Sequence, residues 1–124
     1  MSARVLLVED SALVVGALRV LLEESGFAVT SAATVAEAIA AAERDAPDVM
    51  LLDLTLRGEQ GLDVLDALIA SHRAPRVTIA LTGHDEPAIR ERCLRAGCRD
   101  VLVKPIKPLE LPTQINGWLS ESAP

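Results

Sequence analysis

The chain contains no tyrosine, one phenylalanine (Phe27) and one tryptophan (Trp118), so aromatic faces to stack a planar cofactor ring are scarce. Cysteine is scarce too. Cys93 and Cys98 stand five apart, which is neither a CxxC redox pair nor a zinc half-site, and they read as reduced thiols of a cytoplasmic protein. Long apolar runs are missing. The longest, Ala12 to Leu18, is stopped by Arg19, far short of the ~20 residues that span a bilayer, so no membrane partner is expected. The apolar run after Arg4 ends at Glu9-Asp10, too soon for a signal peptide. Basic residues are outnumbered twelve to eighteen, for a net charge of −6, which argues against binding a nucleic-acid backbone. Ten of those twelve are arginine, leaving Lys104 and Lys107 as the only lysines.

What is present is apolar and aliphatic. Half of the 124 residues are hydrophobic, including 19 Ala and 19 Leu, which excludes intrinsic disorder and suits one domain over residues 1–124, with no output domain expected. Short apolar runs alternate with helical patterns five times. Arg4–Val8 predicts a strand, and Ser11–Glu24 a helix with Val14, Leu18, Leu21 and Leu22 on one face. Gly26 stops it, and Phe27–Ser31 predicts a second strand. Thr34 and Glu37 form a capping-box pattern ahead of a helix to Arg44, which Asp45-Ala46-Pro47 breaks. Val49–Leu52 predicts a third strand ending on Asp53, Arg57–Gly61 a loop, and Leu62 to Ile69 a third helix. Val77–Leu81, Glu86–Ala96 and Val101–Val103 predict strand, helix and strand. A last helix over Leu109–Leu119 is weakened by Pro112 and by Asn116-Gly117.

Five β–α units with near-continuous apolar strands imply an α/β fold: a doubly wound, five-stranded parallel sheet with strand order 2-1-3-4-5. In that order ligands sit beyond the carboxyl ends of the strands, around the switch point between strands 1 and 3. Strand 1 ends in Glu9-Asp10, strand 3 in Asp53, strand 4 in Thr82 and strand 5 in Lys104. Each has a bland reading alone: a helix cap, a polar strand end, a loop hydroxyl, a solvated lysine. Their conjunction carries the argument. Three carboxylates crowded at one edge repel unless a cation joins them, and two net negative charges after Lys104 suit a hard divalent ion. Mg²⁺ accepts one or two carboxylates and leaves room for phosphoryl oxygens. A carboxylate beside it can attack phosphorus, with Lys104 and Thr82 neutralising and binding the phosphoryl oxygens.

Val5-Leu-Leu-Val-Glu-Asp10, Val49-Met-Leu-Leu-Asp53, Leu81-Thr-Gly83 and Val101-Leu-Val-Lys-Pro105 resemble, in order and spacing, the receiver domain of two-component response regulators. The resemblance implies a flavodoxin-like fold, with Asp53 as phosphoacceptor and Glu9, Asp10 and the Thr55 backbone carbonyl joining it at a Mg²⁺ site. It also implies Thr82 as switch hydroxyl, Lys104 as phosphate-binding lysine, and a Lys104–Pro105 bond that is cis in many relatives. The implied partners are a histidine kinase or histidine phosphotransfer protein, and a downstream protein on the face made by helix 4, strand 5 and helix 5. Such a domain catalyses its own phosphorylation and turns over no separate metabolite.

Two positions depart from that pattern. Arg57 stands where relatives usually have proline, four residues after the phosphoacceptor, which predicts a looser loop. Val101 stands where they usually have Tyr or Phe, three before the lysine. The departure leaves the phosphorylation chemistry intact and puts the usual output coupling in question. A second reading is therefore a receiver-like interaction or dimerisation module independent of phosphorylation. A nucleotide or flavin binder of the same fold lacks the glycine-rich or hydroxyl-rich loop after strand 1. His84, two past Thr82, is either an exposed loop residue or a group that tunes dephosphorylation, as that position does in relatives; His72 reads as solvated. Arg92, Arg95 and Arg99 read first as a solvated, salt-bridged face and second as a protein contact.

Overall fold

Strand β1 (Arg4–Val8) leads through Ser11 into helix α1 (Ala12–Glu24), whose first turn is capped by the Ser11 hydroxyl accepting from the Val14 N–H. Next come β2 (Ala28–Ala32), α2 (Val35–Asp45) and β3 (Val49–Asp53). The Thr34–Glu37 box closes as expected on one side, with Thr34 Oγ1 accepting from Glu37 N at 3.1 Å; Glu37 reaches back one residue further, to Ala33 N. After α3 (Leu62–Ala70) follow β4 (Val77–Thr82), α4 (Pro87–Ala96), β5 (Asp100–Val103), a 3₁₀ turn (Pro108–Glu110) and α5 (Leu111–Glu121). The computed structural model describes residues 2–121.

The main sheet has the order β2-β1-β3-β4-β5 with every pairing parallel, as the sequence predicts. Side chains alternate across it. Val5, Leu7, Leu51, Ile79 and Leu81 pack with Leu18 and Leu22 of α1 and with Leu111, Ile115 and Trp118 of α5. Leu6, Val8, Met50, Leu52 and Ala80 pack with Ala38 and Ala42 of α2, Leu65 and Leu68 of α3, and Cys93 of α4. Strands buried on both faces read as unbroken apolar runs for this reason. Because all five point the same way, their polar ends converge at one edge. Among the described residues no helix is long and apolar enough to cross a membrane.

Two local expectations change. The last helix starts at Leu111, two residues late, and Pro112 falls in its first turn, where its missing N–H costs no intrahelical bond. The segment expected to be a loose loop is instead a two-stranded hairpin, Thr55–Leu56 against Glu59–Gln60. Its two turn residues both have positive φ, Arg57 at 30° and Gly58 at 83°, the backbone of a tight two-residue hairpin. Proline cannot adopt that φ, so its absence at residue 57 follows from the turn. The hairpin is tied down at two points: Arg57 N donates to Asp10 Oδ2 at 3.0 Å, and Val35 N at the start of α2 donates to Glu59 Oε1 at 3.0 Å.

Candidate functional site

Asp53, at the end of β3, and Glu9, just past β1, are almost completely buried, at 4% and 3% exposure, and carboxylates are rarely so buried unless paired. Their partner comes from the far edge of the sheet. Lys104 Nζ lies 2.6 Å from Asp53 Oδ2 and 3.4 Å from Glu9 Oε2. The other Asp53 oxygen, Oδ1, accepts from Thr55 N at 3.0 Å, and Glu9 Oε1 accepts from Ser11 N at 3.2 Å. Asp10 sits beside them, one-fifth exposed, held by the Arg57 N–H and with the Arg57 Nε 3.6 Å from Oδ2. One carboxylate oxygen from each of Glu9, Asp10 and Asp53 lies within 4.8 Å of the other two.

The two buried carboxyls divide the charge between them. Burial, then the hydrogen bond to Asp53 and that group's charge, push Glu9 up to about 7. Burial opposes ionisation of Asp53 as well, but hydrogen bonds from Glu9, Lys104 and the Thr55 N–H together outweigh it and hold this carboxyl below its ordinary range. Lys104 loses solvation, yet the hydrogen bond and charge of Asp53 hold its ammonium above the usual lysine value. Asp53 is thus the carboxyl that stays charged, and Glu9 the one that burial holds toward its neutral form. All of the donors are hard oxygens, which fits Mg²⁺ and not a thiolate- or imidazole-seeking metal.

Thr82 is buried at the end of β4, its Oγ1 accepting from His84 N at 3.1 Å, while its carbonyl accepts from Lys104 N at 2.7 Å. The lysine that reaches Asp53 and the hydroxyl are thus joined by one backbone hydrogen bond.

A family model for the response regulator receiver domain matches residues 5–116. The chain belongs to this family. The alginate biosynthesis transcriptional regulatory protein AlgB of Pseudomonas aeruginosa is 35% identical over 108 residues, 87% of this chain and 24% of that protein. The DNA-binding response regulator MtrA of Mycobacterium tuberculosis is 32% identical over 119 residues, 96% of this chain and 51% of that protein. The receiver domain described here thus spans a quarter to a half of the length of these relatives. Among solved structures, the signal receiver domain of a Luxo repressor protein from Vibrio parahaemolyticus superposes with a TM-score of 0.89 at 29% identity, covering 98% of this chain and 93% of that one. A CheY-like receiver domain from Methanospirillum hungatei also gives a TM-score of 0.89, at 26% identity, covering 98% and 97%.

In this receiver domain all six expected site residues lie at the carboxyl edge of the sheet or in the loops that leave it. Glu9, Asp53 and Lys104 are in direct contact, Asp10 is grouped with them, Thr55 is bonded to Asp53 through its N–H, and Thr82 is tied to the backbone of Lys104. The Lys104–Pro105 bond is cis. His84 is two-thirds exposed and faces Glu86 at 3.6 Å. Of the arginines on and after α4, Arg99 pairs with Glu121 of α5, and Arg90 pairs with Asp100 of β5 at 2.9 Å. Sequence reasoning passed over two residues. One is Gly61, where an added Cβ would stand 1.9 Å from the Asp53 carbonyl oxygen, so the segment entering α3 packs on the backbone of Asp53 itself. The other is Arg57, whose contact with Asp10 has no signal in the local pattern beyond Gly58 beside it as a turn residue.

Proposed function

We propose that this receiver domain accepts a phosphoryl group on Asp53 from a phosphohistidine, or from a small phosphodonor, in a Mg²⁺-dependent reaction, and thereby switches its contacts with other proteins. The observation that carries the reading is Asp53 itself: buried, hydrogen-bonded on both oxygens and grouped with two further carboxylates. Glu9, Asp10, Asp53 and the Thr55 carbonyl would hold the ion. Bound there, it neutralises charge on the phosphoryl oxygens and on the acidic cluster.

An Asp53 oxygen attacks phosphorus as the P–N bond to the donor breaks. The imidazole, protonated on its other nitrogen, leaves with that electron pair, and an aspartyl phosphate remains. Lys104 gives up Asp53 Oδ2 for a phosphoryl oxygen, and the Thr82 hydroxyl, which accepts from the His84 N–H, donates to another. Water attack on phosphorus later reverses the modification. The reaction resets a switch and turns over no metabolite. The donor is a histidine kinase or histidine phosphotransfer protein on the cytoplasmic side. The names of AlgB and MtrA describe proteins two to four times longer; the part played by this domain is the phosphoryl-dependent protein contact, on the face of α4, β5 and α5.

Incubation with Mg²⁺ and a small phosphodonor, followed by intact mass measurement, tests this reading. One labile phosphoryl adduct is expected, absent from Asp53→Asn and from metal-free protein. An adduct of undiminished stoichiometry on Asp53→Asn would remove Asp53 from the role. Val101 favours a second reading, an interaction module indifferent to phosphorylation. That reading expects identical partner binding before and after the adduct forms.

A further inference from the structure

The Arg57 hairpin does more than close a turn. Its backbone N–H and its guanidinium converge on one atom, Asp10 Oδ2, at 3.0 and 3.6 Å. Of the three clustered carboxylates, Asp10 is the one open to solvent and the one Lys104 does not contact; its bonded partner comes from this hairpin. The hairpin cannot drift from it easily, because Glu59 on its other strand is hydrogen-bonded to the start of α2. The Arg57 side chain is otherwise 83% exposed, so the packing of the fold does not require it there.

We propose that Arg57 is a positioning residue that acts as a built-in competitor for the divalent cation at Asp10. This rests on the Mg²⁺ reading given above. With the ion absent, the guanidinium offsets the charge of Asp10. An ion binding at Asp10 meets that positive charge at close range and must displace it, while the backbone N–H keeps hold of the carboxylate and preserves its orientation. Arg57 thereby weakens metal binding and sets the Mg²⁺ concentration at which the site fills. A proline at this position would supply neither the charge nor the N–H.

Calorimetric titration of the intact chain with MgCl₂ tests the proposal on wild type, Arg57→Gln and Arg57→Lys. Gln keeps the N–H and the same backbone requirement without the charge. Its dissociation constant is expected to fall about two- to fivefold at low ionic strength, the scale of an exposed ion pair. The gain should vanish near 1 M salt, where the screening length shrinks to roughly 3 Å. Lys, keeping the charge, should stay near wild type. If wild type binds Mg²⁺ and Gln binds it equally or more weakly at low salt, Arg57 is no competitor, and the metal reading stands. If neither binds, the metal reading fails and takes this inference with it.

Discussion

Gly61 lies directly against Asp53: a Cβ on the glycine would approach the aspartate's carbonyl oxygen to 1.9 Å. Its own N–H is bonded to the Leu54 carbonyl at 2.8 Å, so the turn into α3 is drawn tight against the backbone of residues 53 and 54. The requirement is steric and not conformational, since Gly61 has an ordinary helical φ of −57°.

Gly61→Ala is therefore expected to destabilise the fold by about 2–3 kcal/mol, because the obstacle is backbone and cannot rotate away. Gly58 differs: its φ is 83° but a Cβ there meets nothing within 4 Å, so Gly58→Ala should cost only about 1 kcal/mol of backbone strain. Urea unfolding of both variants gives the ranking. A reversed order would show that the hairpin, and not the packing beneath Asp53, limits this region.

Lys104→Ala leaves a phosphoryl group without its direct ammonium partner and should slow phosphorylation at least about tenfold, with the fold intact. Arg should rescue only in part, since its planar fork cannot stand as a point charge 2.6 Å from Asp53 and 3.4 Å from Glu9 at once. Adduct formation followed over time by mass measures both. Wild-type rates in both variants would reduce Lys104 to a structural counter-ion.

Glu9 makes the metal-free protein pH-sensitive in a definite direction. Its folded value, about 7, lies above the ordinary 4.5. The stabilisation is full below 4.5 and is lost as pH rises through about 7, because the unfolded chain ionises first. Glu9→Gln should remove this slope and, at pH 8, raise metal-free stability relative to wild type by on the order of 1–2 kcal/mol. Parallel denaturation curves for the two proteins from pH 5 to 8 would contradict it. Asp53 works oppositely: its contribution is present above the ordinary carboxylate range and fades only as pH falls through its lowered value.

Coupling to output should run through the β4–α4 loop. Val101 is β-branched, stiff and too small to occupy two alternative positions as an aromatic can. The Thr82 hydroxyl, in contrast, already holds the loop by accepting from the His84 N–H at 3.1 Å, so a shift of the hydroxyl toward a phosphoryl oxygen carries the loop with it. Hydrogen exchange with and without a phosphoryl mimic should change most over residues 82–88 and fade toward α5. A response as large at Trp118 as at Gly83 would mean that the change is transmitted through the sheet.

The alternation of elements, the parallel sheet and its order, and the residue that ends each strand are all legible in the amino-acid pattern. Those features follow from local apolar patterning and from the one hand that β–α–β crossovers take, and neither needs a distant contact to be recognised. The same pattern also contained Glu9, Asp10, Asp53, Thr82 and Lys104 as a set, because a parallel sheet puts all its strand ends on one edge. Tertiary structure alone decided how that set divides its charge: Lys104 crosses from β5 to Asp53 and Glu9, leaving Asp10 to the hairpin. It also decided that the Arg57 N–H and guanidinium meet Asp10 and that Gly61 has no room for a side chain. Both depend on how closely one loop approaches another, a distance set by the packing of α2 and α3 against the sheet and absent from any local pattern.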